Sequence, residues 1–133
     1  MQVLNISERK LTELDFARLN KLVAAGATPH LDEMLCDAEV VPSQAIPADV
    51  VTMYAQFSVS DMKSPQQQTF VLCYPRDAEP AMGFISVLSP AGMALIGLPV
   101  GALATWTGPN GEESAARIEG ILFQPEASGD YVK

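Results

Sequence analysis

The sequence predicts an α+β protein in which two short helices precede an antiparallel sheet of about five strands that carries one further helix. Three observations predict it. Apolar residues recur at helical spacing as far as Ala38. Two prolines in Val40-Val41-Pro42-Ser43-Gln44-Ala45-Ile46-Pro47 then forbid a helix interior. Beyond them β-branched and alternating segments take over. With 133 residues, 48% hydrophobic and 18% charged, the chain has the size of an ordinary domain and enough apolar surface to offset the entropy of folding.

Thr12 is spaced to cap the amide of Asp15, and Asp15 to reach back in the same way, a variant capping box flanked by a Leu11/Phe16 staple. Phe16, Leu19, Leu22 and Val23 continue one apolar face, so the first helix runs from about Glu13 to Ala25. Gly26 supplies a positive φ, and Thr28-Pro29 offers a cap followed by a first-turn proline. The second helix carries Leu31, Met34, Leu35 and Ala38 at i, i+3, i+4, i+7, which lays it antiparallel on the first. Residues 1–45 are thus expected to form a short helical hairpin with Ala25, Gly26, Ala27 and Thr28 at its tip, and residues 46–133 a separate α+β domain. In that domain Val50–Ser60, Thr69–Tyr74, Gly83–Leu88, Ala102–Thr107 and Ala115–Gln124 read as strands, the last two joined at Asn110-Gly111. Ser89-Pro90 caps a short helix, Met93 to Ile96, ended by Gly97.

The 16 Asp and Glu against 8 Lys and Arg give a net charge of -8. Binding to a phosphate lattice draws on clustered Lys and Arg, so neither direct nucleic-acid binding nor an anionic membrane is expected. Pro80 to Gly111 contains no charged residue, but its prolines and glycines interrupt any helix long enough to cross a bilayer. The first ten residues lack the basic and apolar regions of a secretory leader, and a cytoplasmic protein is expected. Cys36 and Cys73 are read as reduced, buried thiols.

No active-site signature emerges. His30 stands alone in the first turn of the second helix, and with Cys36 and Cys73 it makes no metal-ligand cluster. There is no Gly-x-Ser-x-Gly elbow, Gly-x-Gly-x-x-Gly or Gly-Lys-Ser/Thr phosphate cradle. The carboxylate pairs Asp32/Glu33, Asp37/Glu39 and Glu112/Glu113 read as solvated faces, since neighbours on a helix diverge by about 100°. Tyr54, Phe57, Phe70, Tyr74, Phe84, Trp106 and Phe123 read as core filling rather than a cleft. No catalytic residue, cofactor or metal is expected.

The run Ile85-Ser86-Val87-Leu88-Ser89-Pro90-Ala91-Gly92-Met93-Ala94-Leu95-Ile96-Gly97 resembles the C-terminal domain of the bacterial Gre transcript cleavage factors. A closer resemblance, nearly end to end, is to the Rnk family, the regulators of nucleoside diphosphate kinase. It is carried by Leu11-Thr12-Glu13-Leu14-Asp15, by Ile46-Pro47-Ala48-Asp49-Val50-Val51-Thr52-Met53 and by Gln124-Pro125-Glu126-Ala127-Ser128-Gly129-Asp130-Tyr131. The resemblance implies an FKBP-like C-terminal domain, a coiled-coil-like N-terminal hairpin, and binding to RNA polymerase at the secondary channel, where Gre factors insert their hairpins. It implies that Ser89 and Pro90 dock on the polymerase, a role compatible with capping.

Two departures stand out. Gre hairpins carry tip acids that help place a metal ion in the polymerase, whereas Ala24-Ala25-Gly26-Ala27-Thr28-Pro29 has none, so transcript cleavage is not expected. Tyr54 follows Met53 where the family usually has asparagine, and Ser128 stands where alanine is expected. The function expected is a non-enzymatic transcription regulator competing with Gre-type factors. Its rivals are a prolyl isomerase or chaperone on an FKBP-like fold, an inference a fold alone does not license, and direct regulation of nucleoside diphosphate kinase, which rests on the family name.

Overall fold

A computed structural model of the chain describes residues 9–26, 29–62, 66–108 and 111–129. The N-terminal part runs β1 (Lys10–Thr12), α1 (Glu13–Ala24), α2 (Pro29–Asp37) and β2 (Glu39–Val41). Thr12 has extended backbone and its hydroxyl accepts the Asp15 amide at 3.0 Å, which starts α1 where the sequence places it. Gly26, at φ 99°, follows the end of α1 in the left-handed region. The Thr28 cap and the tip residues Ala27 and Thr28 lie outside the described residues, as do Pro109 and Asn110 of the expected hairpin turn.

The sequence reading missed β1 and β2. They pair in parallel, Lys10 with Glu39 and Thr12 with Val41, so the chain enters and leaves the two helices side by side. Three residues per strand is too short for a periodicity to register.

The C-terminal part holds β3 (Gln56–Asp61), β4 (Gln67–Cys73), β5 (Phe84–Ser86), α3 (Pro90–Leu95), β6 (Leu103–Thr107) and β7 (Glu113–Phe123). Its strands are ordered β5-β4-β3-β7-β6. The β3/β4, β3/β7 and β6/β7 pairs are antiparallel, whereas β4 and β5 are parallel, which corrects the all-antiparallel expectation. The connection between them, folded into 3-10 turns at Pro75–Asp77 and Pro80–Met82, returns the chain before β5 begins. Register shifts between Gln56/Phe57 and Ser58/Val59 leave Leu122 and Glu119 of β7 as extra residues. Such bulges increase local twist. The sheet curls, and α3 packs against both its edge strands, β5 and β6.

The expected strand Val50–Ser60 is shorter than foreseen, because β3 begins only at Gln56. Val50, Val51, Thr52, Met53 and Ala55 are all buried, so no alternation survives there. This segment is held instead by bonds to several elements, Val51 N–H to Leu98 O, Tyr54 N–H to Leu72 O and Gly97 N–H to Val51 O.

One apolar core runs through the described residues. Leu11, Leu19, Leu31, Met34 and Leu35 from the N-terminal part join Val51, Met53, Phe57, Leu72, Val87, Leu95, Ile96 and Ile118. Burying an aliphatic or aromatic side chain contributes about 1.5–3 kcal/mol. Not every aromatic joins it: Phe57 and Tyr74 are buried, whereas Phe84 and Phe123 are exposed. Phe123 follows the bulged Leu122 at the end of β7, which removes it from the inner face. Cys73 is buried, but Cys36 is exposed, a further correction. Among the described residues, no helix is long and apolar enough to cross a membrane.

Candidate functional site

The turn before α3 is built from four residues that constrain one another. The Ser89 hydroxyl accepts the Gly92 amide at 3.0 Å and donates to Ser86 O at 2.7 Å, while the Ser86 hydroxyl accepts the Leu88 amide at 3.0 Å. Pro90 opens α3 with its fixed φ and lies exposed beside the half-buried Ser89. A Cβ on Gly92 would come within 2.0 Å of Ser86 O, so only glycine lets the helix seat on β5. The turn therefore presents Pro90 to solvent from a fixed backbone.

Ala25 and Gly26, the described part of the expected tip, are exposed at the other end of the fold's helical part. They are not gathered with Ser89 and Pro90: α1 packs on α2, β1 and β2, and α3 packs on β5 and β6. His30 lies within α2, its side chain outside the described ones. Among the described residues no three His, Cys, Asp or Glu side chains gather as a metal site.

The three segments that carry the Rnk resemblance converge at one junction. Asp15 is buried; its carboxylate accepts the Met53 amide at 3.2 Å and also engages the Thr12 side chain by a hydrogen bond. The Thr52 hydroxyl donates to Glu126 at 2.8 Å. The buried Gln124 amide donates to Pro47 O and Val50 O, both at 2.8 Å. Burial pushes the Asp15 carboxyl up to about 7, against the lowering pull of the Met53 hydrogen bond, with Glu126 adding a smaller upward push. On the other side of the junction Arg9 donates to Ala94 O at the end of α3, and Lys10 N–H to Gly97 O.

Beside this junction a cleft of about 760 Å³ is lined by Arg18, Lys21 and Leu22 of α1 and by Tyr54, Tyr74, Pro75 and Arg76. The tyrosine rings lie 5.7 Å apart at 59°. Tyr54 sits at φ 67°, the one left-handed non-glycine among the described residues, and its hydroxyl donates to Asp77 at 2.6 Å. Burial, then Asp77, pushes the Tyr54 phenol up to about 12. Tyr74 is raised further, by burial first and by Asp15 second, with Arg18 opposing. Sequence reasoning missed this cleft. Its only linear trace is Arg18, Lys21 and Leu22 at i, i+3, i+4, a face easily taken for a solvated one.

The curled sheet with one small helix, preceded by a helix pair, is a fold of the Gre type. The solved structure of the prokaryotic transcription elongation factor GreA/GreB from Nitrosomonas europaea superposes with a TM-score of 0.72 at 32% identity, covering 87% of this chain and 98% of that one. Residues 46–122 match the family described as transcription elongation factor, GreA/GreB, C-term, and the chain belongs to that family. It is 29% identical over 128 residues to the regulator of nucleoside diphosphate kinase of Escherichia coli, covering 92% of this chain and 94% of that protein. The transcription elongation factor GreA of Acetivibrio thermocellus is 32% identical over 107 residues, 80% of this chain and 66% of its own length.

Proposed function

We propose that this protein is a non-enzymatic, cytoplasmic regulator of transcription that binds RNA polymerase near the secondary channel and competes there with Gre-type factors. The observation that carries this reading is the family match over residues 46–122, which includes the whole Ser86–Gly92 turn. In it the sheet part acts as an FKBP-like docking domain, with Ser89 and Pro90 as the contact. The two helices act as a coiled-coil-like hairpin whose tip, Ala25 to Thr28, occupies the channel mouth without delivering a metal-binding carboxylate. Inhibition by occupancy needs only shape and affinity, which suits a chain whose cap and helix fix one exposed turn.

The test is direct binding of the purified protein to core RNA polymerase, with purified nucleoside diphosphate kinase as a parallel bait and a Gre factor as competitor. Binding to polymerase, displaced by the Gre factor and weakened by Pro90→Ala in folded protein, is expected. Absence of polymerase binding overturns the reading. Affinity for the kinase in that case favours the activity in the name of the Escherichia coli relative.

A further inference from the structure

The cleft between α1 and the Tyr74–Arg76 loop has the features of a ligand site that the polymerase reading does not use. Its volume, about 760 Å³, falls within the roughly 300–1,000 Å³ range of small-molecule pockets. Arg18, Lys21 and Arg76 line it, three of the chain's 8 Lys and Arg, in a protein of net charge -8. Among the described lining residues none is a carboxylate. Two acids stand next to the lining: Asp77, 3.9 Å from Arg76 Nε and accepting the Tyr54 hydroxyl, and Asp15, which acts on Tyr74.

The second half of the cleft is apolar and aromatic: Tyr54, Tyr74, Pro75 and Leu22. Two observations say that this half is arranged for something. Tyr74 is buried, and its hydroxyl lies within hydrogen-bonding reach of the Arg18 side chain, so a ring and a cation of the cleft meet there. Tyr54, a bulky residue, is held in a left-handed conformation at φ 67°. Such outliers cluster at active sites and ligand clamps. It brings a ring to the cleft wall.

We propose that this cleft binds a small polyanion carrying a planar ring, of the nucleoside polyphosphate class. The phosphates lie against Arg18, Lys21 and Arg76, and the ring packs on Tyr54 and Pro75. The absence of a glycine-rich cradle is no obstacle, because the cations here are side chains from two elements rather than the amides of one loop.

The experiment is calorimetric titration of the full chain with ATP, GTP, inorganic triphosphate, adenosine and a poly-glutamate peptide as the acidic-peptide probe, at 50 and 300 mM salt, together with amide chemical-shift mapping. A nucleoside triphosphate is expected to bind at least about tenfold more tightly than either triphosphate or adenosine alone. Its affinity should fall with salt, and shifts should concentrate at Arg18, Lys21, Tyr54, Tyr74 and Arg76. The double variant Lys21→Glu/Arg76→Glu should lose at least about tenfold in affinity. Arg117→Glu, on β7 away from the cleft, should lose none. Both mutated cleft residues are exposed, and Lys21→Gln, which removes charge without reversing it, guards against a folding defect. No nucleotide binding at millimolar concentration, shifts elsewhere, or unchanged affinity in the folded double variant overturns the site. Equal affinity for triphosphate and nucleotide overturns ring recognition. Binding of an acidic peptide in place of every nucleotide overturns the small-molecule assignment.

Discussion

The carboxylate of Asp15, on the first turn of α1, accepts the backbone amide of Met53 at 3.2 Å across 38 positions of sequence. This bond joins the helical part to the segment that leads into β3, and it is made by a buried acid whose pKa is raised to about 7. The residues around the carboxyl that bear charge or titrate are Arg18, Glu126 and Tyr74.

A buried carboxyl of this kind makes stability depend on pH. Its pKa in the unfolded chain lies near the ordinary ~3.9. Between that value and about 7 the folded state holds a proton that the unfolded state has lost, so the contribution is full below pH ~4 and is lost as pH rises through the folded value near 7. Asp15→Asn, which keeps an acceptor for the Met53 amide, should remove this part of the slope, on the order of 2–4 kcal/mol over that interval. Urea unfolding of both proteins at pH 5 and pH 8 reads the difference. Identical pH slopes would show that the carboxyl ionises freely in the fold.

Gly92→Ala should be among the most damaging single-methyl changes in the chain. The added Cβ would meet Ser86 O at 2.0 Å and the Val87 backbone at 2.9 Å, and neither can turn aside as a side chain could. A loss of about 3 kcal/mol, at the upper end of overpacking, is expected. Gly111→Ala is the contrasting control, open in space but at φ 83°. Thermal melts of the two variants separate steric exclusion from backbone strain.

Ser89→Ala removes an acceptor for the Gly92 amide and a donor to Ser86 O at once. A loss of about 1–2 kcal/mol is expected from the cap. Ser89→Thr should recover most of it, since the hydroxyl is retained. Polymerase binding by these variants is compared at temperatures where both are fully folded, so that docking is read apart from stability.

The division into residues 1–45 and 46–133 is a proposal that a fragment tests. Residues 46–133 contain the whole sheet and α3, but lose Leu11, Leu19, Leu31, Met34 and Leu35 from the continuous core and the Lys10 bond to Gly97. Cooperative unfolding at a Tm well below that of the full chain is expected. A fragment without a cooperative transition would make the helices part of a single domain.

Acids placed at the tip should not create transcript cleavage. The twelve residues of α1 span only ~18 Å at 1.5 Å per residue, and the match to the Acetivibrio thermocellus GreA leaves about a third of that protein's length uncovered. Ala25→Asp/Ala27→Glu supplies carboxylates, but coordination of Mg²⁺ requires approach to about 2 Å. A backtracked elongation complex with labelled RNA is the assay, and stimulated cleavage by the variant would overturn the argument from reach.

Sequence alone determined the features that local chemistry governs. The Thr12 and Ser89 caps, the glycine stop after α1, the buried face Leu31, Met34 and Leu35, and the presence of α3 and five C-terminal strands follow from residue type at short spacing. The Gre-type family was legible for the same reason, since its motifs are contiguous runs. What the tertiary structure decided are relationships between distant segments. That Asp15, besides its bond to Thr12, also holds the Met53 amide depends on where residue 53 lies. Whether β5 runs parallel to β4 depends on the path of the 74–83 connection. Phe123 is exposed where a bulge on β7 shifts the register, and Tyr54, left-handed, donates its amide to Leu72 O at 2.6 Å. The cleft is the extreme case. Its cations and rings come from α1, from residue 54 and from residues 74–76, and only burial of the shared core sets them around one cavity. Side-chain periodicity reports the neighbours along an element, whereas a site assembled across elements has no periodicity to report.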